Sequence, residues 1–197
     1  MTEPFFHPWI GQHYAHSPQR LLVLGESHYG PADMAGDSTV LLTQQYIDQI
    51  WSHRFWTNIM QVVAGRPYWE LQRADVWHHI AFYNYVQQPV AETAGVAPDG
   101  AMFAASAEAF FTVLDRLAPH AVLVLSRRLW DNLPPAGRAG ASLPLDDGER
   151  ETWLYPAAGG ETLATWIPHP SYGFNWSRWH PLVKALRTAA GRLPQRQ

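Results

Sequence analysis

Four short runs rich in apolar residues punctuate the chain, each bounded by polar or turn-forming positions. They are Leu21-Leu22-Val23-Leu24, Val76-Trp77-His78-His79-Ile80-Ala81-Phe82, Ala121-Val122-Leu123-Val124-Leu125 and Leu163-Ala164-Thr165-Trp166-Ile167. Apolar runs this short read as strands buried within a sheet. A further strand is predicted over Trp153 to Tyr155, joined to the last run through Gly159-Gly160. Between the runs the spacing turns helical. Leu42, Tyr46 and Ile50, then Phe55, Ile59, Val62 and Val63, predict helix from Thr39 to Ala64, with a break near Trp51 to Arg54. Ser38 or Thr39 would cap its start and Gly65 its end. Ala101 to Leu117 and Trp176 to Ala190 read as helices, and a short one begins at Ser126. Residues 87–100 and 134–150 carry Pro, Gly and Asp and read as loops, and residues 1–20 as an extended N-terminal arm.

Alternation of strand and helix predicts an α/β fold: a three-layer α/β/α sandwich around a central, mainly parallel four-stranded sheet. No repeat or linker divides the chain, so residues 1–197 are expected to form one domain. At 47% hydrophobic residues, the chain can fill a sizeable core. Ten Trp are more than such a core usually needs, and some are expected to line a surface or cleft.

The absence of cysteine excludes disulfides, thiolate nucleophiles, iron–sulfur ligation and Cys-based zinc sites. No run approaches the roughly 18 apolar residues of a membrane span. Met1-Thr2-Glu3-Pro4 does not read as a signal peptide, so the expectation is a cytoplasmic protein without a membrane partner. The net charge of −3 hides an asymmetry: Thr162 to Gln197 holds five cations and no Asp or Glu. A basic segment of this kind is a solvated helix face or a phosphate-binding surface.

Polar residues at the carboxyl ends of parallel strands converge on one rim of an open α/β sheet, where such folds bind ligands. Three strand ends here carry them. The first is Gly25-Glu26-Ser27-His28-Tyr29-Gly30, the second Asn84, and the third His169-Pro170-Ser171-Tyr172-Gly173. Glu26 could polarise a water as general base, Asn84 offers the donor and acceptor faces that suit a nucleobase edge, and His169 could donate to an oxyanion. Tyr29, Phe55, Trp56 and Tyr83 lie near these ends in sequence and could sandwich a flat ring. Taken singly, each polar residue is also explained as a strand-end group bonded to main chain.

In order and approximate spacing the three motifs resemble the uracil-DNA glycosylase superfamily, over residues 20 to 190. Its members carry Gly-Gln-Asp-Pro-Tyr or Gly-Glu-Ala-Pro-Gly after the first strand, an Asn ending a middle strand, and His-Pro-Ser after the last. The resemblance implies that Gly25 and Glu26 occupy the Gly-Glu of the second type, with Glu26 activating water. It implies that Tyr29 lies against the base, Asn84 reads its edge, His169 stabilises charge building on its carbonyl, and Ser171 contacts phosphate. Tyr172 to Trp176 would be the wedge that enters the duplex, with Phe174 or Trp176 filling the gap left by a flipped nucleotide, and Arg178 beside it. Phe55 is the expected stacking aromatic. Ser27 stands where the first type has its water-activating Asp, and His28 replaces the Pro of both types, which makes Ser27 and His28 further catalytic candidates. Tyr172 replaces the Pro that often follows His-Pro-Ser.

With Lys184 the only lysine, an amine nucleophile is poorly supplied, and the implied reaction is monofunctional hydrolysis by water without metal or cofactor, on single- or double-stranded DNA, by a monomer. Two other classes stay open. The same fold could serve as an inactive nucleic-acid-binding or interaction module. Alternatively, Leu24-Gly25-Glu26-Ser27 and Trp179-His180-Pro181 resemble the nucleophile and His blocks of Gly-Asp-Ser-type serine esterases, with Ser27 and His180 as the pair. His78 and His79, adjacent on a predicted strand, would point to opposite faces and not share one metal.

Overall fold

A computed structural model of the chain describes residues 2–171 and 173–194. Its strands are β1 (Trp9–Ile10), β2 (Leu21–Gly25), β3 (Ile80–Asn84), β4 (Ala121–Val124), β5 (Arg138–Ala139), β6 (Leu143–Leu145), β7 (Gly148–Arg150), β8 (Trp153–Ala157) and β9 (Gly160–Trp166). The helices are α1 (Ser38–Ile47), α2 (Arg54–Ala64), α3 (Arg73–Trp77), α4 (Gly100–Ala105), α5 (Ala107–Leu117), α6 (Arg127–Asp131) and α7 (Trp176–Ala190). Single 3-10 turns occupy Tyr14–His16 and Tyr68–Glu70.

The main sheet runs β1-β3-β2-β4-β9-β8-β5. Its centre, β3-β2-β4-β9, is parallel throughout, in a register that pairs Leu21 with both Ile80 and Ala121, and Ala121 with Leu163. The expected count of four strands is therefore exceeded: β1, β8 and β5 extend the sheet to seven, all by antiparallel pairing. From β2 the chain first adds β3 on one side, then crosses to add β4 on the other. The crevice between the carboxyl ends of β2 and β4 is thus a topological switch point.

Alternating strand residues feed two separate cores. Leu21, Val23, Ile80, Phe82, Ala121 and Leu123 pack with residues of α1, α2, α3 and α7 on one face. Leu22, Leu24, Ala81, Tyr83, Val122 and Val124 pack with residues of α4, α5 and α6 on the other. Burial on both faces is why these strands read as unbroken apolar runs.

Several elements differ from the sequence expectation. Val76 and Trp77 belong to α3 rather than to a strand, and His78 and His79 form the turn that leads into β3. The N-terminal arm contributes β1 to the sheet edge, and the predicted loop 134–150 contains β5 and the separate β6–β7 hairpin. The long helix is broken between Ile47 and Arg54, where Arg73 donates to the carbonyls of Tyr46 (2.5 Å) and Trp51 (2.9 Å) and so holds the connecting turn. Neither Ser38 nor Thr39 caps α1; Asp37 precedes it, and the Thr39 hydroxyl is used elsewhere. No helix among the described residues is long and apolar enough to cross a membrane.

Gly65 ends α2 in the left-handed region at φ 70°, and a Cβ there would lie 2.3 Å from Nε2 of His180 on α7. Gly65→Ala is expected to cost about 1–2 kcal/mol in a urea-denaturation measurement, from backbone strain and from displacing that ring.

Candidate functional site

The four parallel strands deliver their following residues to one rim. Glu26 leaves β2, Asn84 ends β3, Ser126 and Arg128 follow β4, and His169 follows β9. Glu26, His28 and Asn84 are all buried polar residues.

Across the switch point, Glu26 meets Arg128 in a two-pronged ion pair. Arg128 Nε donates to Oε2 at 2.9 Å, and a second guanidinium nitrogen donates to Oε1. Ser126 Oγ lies 3.4 Å from the same Oε2 while accepting from the Leu129 amide as the cap of α6. The hydrogen bond to Glu26 is the main reason Arg128 is held above the usual arginine pKa. The Arg128 side chain is half exposed (51%) whereas that of Glu26 is buried (7%), so the cation forms the outer side of the pair.

Asn84 at the end of β3 belongs to a second polar unit of this rim. Asn84 Nδ2 donates to His28 Nε2 at 3.0 Å, and Thr39 Oγ1 lies 2.7 Å from the same nitrogen. With Asn84 donating, Nε2 is the acceptor and the ring proton sits on Nδ1. Burial pushes His28 down to about 4, which keeps the ring neutral. Phe6 packs on the imidazole with centroids 4.5 Å apart. Asn84 Oδ1 occupies space that only a glycine at 25 leaves open, since a Cβ there would lie 2.2 Å from it. The motif residues Gly25 and His28 therefore fix the side chain of Asn84, and His28 is a positioning group at this rim.

His169 is open to solvent, but its ring stacks on Phe55 with centroids 5.1 Å apart at 29°. The protein packed around it lowers its pKa; Glu26 opposes this, and Arg128 and His53 add to it. The loop carrying His169 is held by Asn58 of α2, whose Nδ2 donates to the Pro170 (3.2 Å) and Ser171 (3.3 Å) carbonyls. Ser171 is exposed beside it.

Two side-chain sets thus stand at this rim: Glu26, Arg128, His169 and Phe55, joined by the ion pair, the ring stack and electrostatic interaction, and His28 with Asn84, joined by their hydrogen bond. Ser27 and Tyr29 are half-buried on the loop after β2, where the Tyr29 hydroxyl donates to the Val96 carbonyl (2.7 Å). Trp56 and Tyr83 are core residues, buried in the two opposite clusters, and neither lies open to a flat ligand. Tyr172 lies outside the described residues. Phe174 and Trp176 are half-buried against the first core. Arg178 pairs with Asp147 at 2.6 Å on the surface, so part of the basic segment is neutralised by the β6–β7 turn. His180 bonds the Val62 carbonyl through Nδ1 (2.9 Å) and seats on Gly65, the geometry of a packing residue.

Ser126, Arg128, Thr39 and Asn58 are not expected at the site from sequence, where Thr39 and Ser126 read only as helix starts. The first two sit after the clearest buried strand of all, and parallel topology alone marks that strand end. Thr39 and Asn58 carry no such mark.

Compared with known families and curated proteins, the chain matches no family model and no curated protein.

Proposed function

We propose that the chain is a glycosylase-like hydrolase that removes a damaged or deaminated base of the uracil type from DNA. The observation that supports it most is that a carboxylate, an amide and an imidazole follow parallel strands of one sheet to the same rim, with Phe55 stacked on the imidazole. It fits the three motifs resembling the uracil-DNA glycosylase superfamily, with Glu26, Asn84 and His169 in their expected order.

In this reading Asn84 spends one Nδ2 hydrogen on His28 and offers the other, with Oδ1, to the donor–acceptor edge of the base. The base slides onto Phe55, displacing the His169 ring from its stack. Arg128, the outer and half-exposed member of its pair, turns to a backbone phosphate. That movement releases Glu26 to orient a water. The N-glycosidic bond breaks with its electron pair going to the base, where His169 stabilises the charge on the carbonyl. Water adds to the sugar C1′, its proton passing to Glu26 and then to solvent, while the departing base takes up a proton. The finer readings belong to the same proposal: a three-layer α/β/α sandwich, a cytoplasmic monomer, and no nucleophilic amine at the rim.

The test is base excision from single- and double-stranded oligonucleotides carrying uracil, hypoxanthine, xanthine or a thymine mismatch, with abasic products cleaved by alkali. Release of one base, lost on Asn84→Ala, is the expected result. A native chain that excises none of them while folded removes the proposal and favours an interaction module on this fold.

A further inference from the structure

A groove of about 1140 Å³ opens along α2, beside the rim rather than in it. Three independent features give it a chemical character. The first is its wall. Although the chain carries 17 Asp and Glu, none lines the groove, whereas Arg54, Arg73 and His53 do, together with several amide side chains. Arg73 bonds the carbonyls of Tyr46 and Trp51 and lies 4.1 Å over the Tyr46 ring, partners that carry no negative charge of their own. Of the acids near these residues in sequence, Asp48 bonds Gln44, Glu70 bonds Arg66, and Asp75, two positions after Arg73, does not line the groove.

The second feature is an aromatic platform. Tyr68 and Trp69 line the groove from the 3-10 turn at Tyr68–Glu70, with rings 5.2 Å apart in an edge-to-face pair. Trp69 is 73% exposed, the most open large apolar side chain on the described surface. The third is a chain of hydrogen bonds that ties this platform to the rim. The Tyr68 amide donates to Gln61 Oε1 (2.9 Å), Gln61 Nε2 donates to Asn58 Oδ1 (3.3 Å), and Asn58 holds the Pro170 and Ser171 carbonyls. The groove ends at Gly173 and Phe174, immediately beyond that loop.

We infer that this groove is a track for a single polynucleotide strand, with Trp69 stacking an unpaired base and the arginine-lined wall following the phosphates. An acid-free groove with exposed aromatics is the arrangement by which proteins hold single strands without reading their sequence. A base-paired duplex offers no free base face to Trp69. The inference deepens the glycosylase reading by naming an unpaired strand as its substrate form, and rests on that reading only for the direction in which the strand runs.

The experiment is fluorescence anisotropy with short fluorescein-labelled oligodeoxythymidine and oligouridine, on the full chain at low salt. Trp69→Ala is expected to weaken binding roughly tenfold, as loss of one base–aromatic stack does. Trp69→Phe is expected to restore most of it, and added salt to weaken native binding. Because Trp69 is exposed, the substitution leaves the core intact. Preference for the deoxy strand names DNA, and equal binding names any single strand; both uphold the track. No binding of either strand, binding indifferent to Trp69→Ala, or tighter binding of duplex overturns it and leaves the groove to a protein partner. Excision with binding indifferent to Trp69 sinks the track and keeps the glycosylase; Trp69-dependent binding without excision does the reverse.

Discussion

Glu26→Gln is expected to lower the base-excision rate by roughly a hundredfold or more while leaving strand binding in the groove unchanged. The size follows from what a positioned general base contributes to a hydrolytic step. Gln keeps the length and one acceptor oxygen of Glu26, so it preserves packing at the switch point but cannot take a proton. The complication is Arg128, because the same substitution weakens the two-pronged pair. Arg128→Gln separates the two effects. It breaks the pair and leaves the carboxylate in place, so its rate is expected to lie well above that of Glu26→Gln. Equal losses in both variants would assign Glu26 a structural role, holding α6 against β2, and an undiminished Glu26→Gln rate would take it out of the chemistry. Circular dichroism and denaturation midpoints of both variants check that the comparison is made between folded chains.

The parts of the fold visible in the sequence are those that burial forces on it. β2, β4 and β9 must be apolar on both faces, so each leaves a run that no helix of this length would need. Gly65 was legible because a left-handed helix terminus admits few other residues. Elements of two or three residues were not. β1, β5, β6 and β7 are too short for any period to show, and their pairing depends on where the rest of the chain lies. The apolar stretch beginning at Val76 was ambiguous for a different reason. Five helical residues bury Val76 and Trp77, and the adjoining strand buries Ile80 onward, so the two elements fuse into one apolar run. The predicted helix over 101–117 also divides, at Ser106, whose hydroxyl donates back to the Met102 carbonyl while accepting from the Gln87 amide. Such local side-chain bonds compete with the helical ladder and are invisible to an apolar period.

For the rim, topology carried more than motif. Parallel strands place their carboxyl ends together, and that alone brought Glu26, Asn84 and His169 to one edge across long separations in sequence. The same rule applied to the fourth strand would have reached Ser126 and Arg128. What no strand-end rule supplies is the pairing among side chains. Nothing in the spacing shows that Arg128 bonds Glu26, or that Asn58 in the middle of α2 holds Pro170, 112 positions away. Nor does it show that His28 faces inward to Asn84 rather than outward to a substrate.

That inward placement gives His28 a thermodynamic signature. Between pH 7 and pH 4 the native chain is expected to lose about 3 kcal/mol of stability relative to a His28→Gln variant. The ring's pKa falls from 6.5 to about 4 on folding because burial disfavours its charged form. The unfolded chain therefore binds a proton across that interval that the folded chain refuses. The contribution is complete above pH 6.5 and is lost progressively as pH falls toward 4; two and a half units at about 1.4 kcal/mol each are about 3.5 kcal/mol in full, of which about 3 is lost by pH 4, where the folded ring is half protonated. The groups packed on the ring, Thr39, Asn84 and Phe6, include no carboxylate that could stabilise an imidazolium. Gln retains an acceptor for Asn84 but has no proton to gain, so urea denaturation at a series of pH values isolates the single group from the other histidines that burial also depresses. A difference between native and variant that stays constant from pH 7 to pH 4 would mean that the ring is charged or solvated in the folded chain. Protonation at Nε2 would also set an N–H against the Nδ2 hydrogens of Asn84, so the amide would have to turn. Base recognition by the folded chain is therefore expected to fail with its midpoint near the folded value of about 4, at the lower end of the interval over which stability is lost.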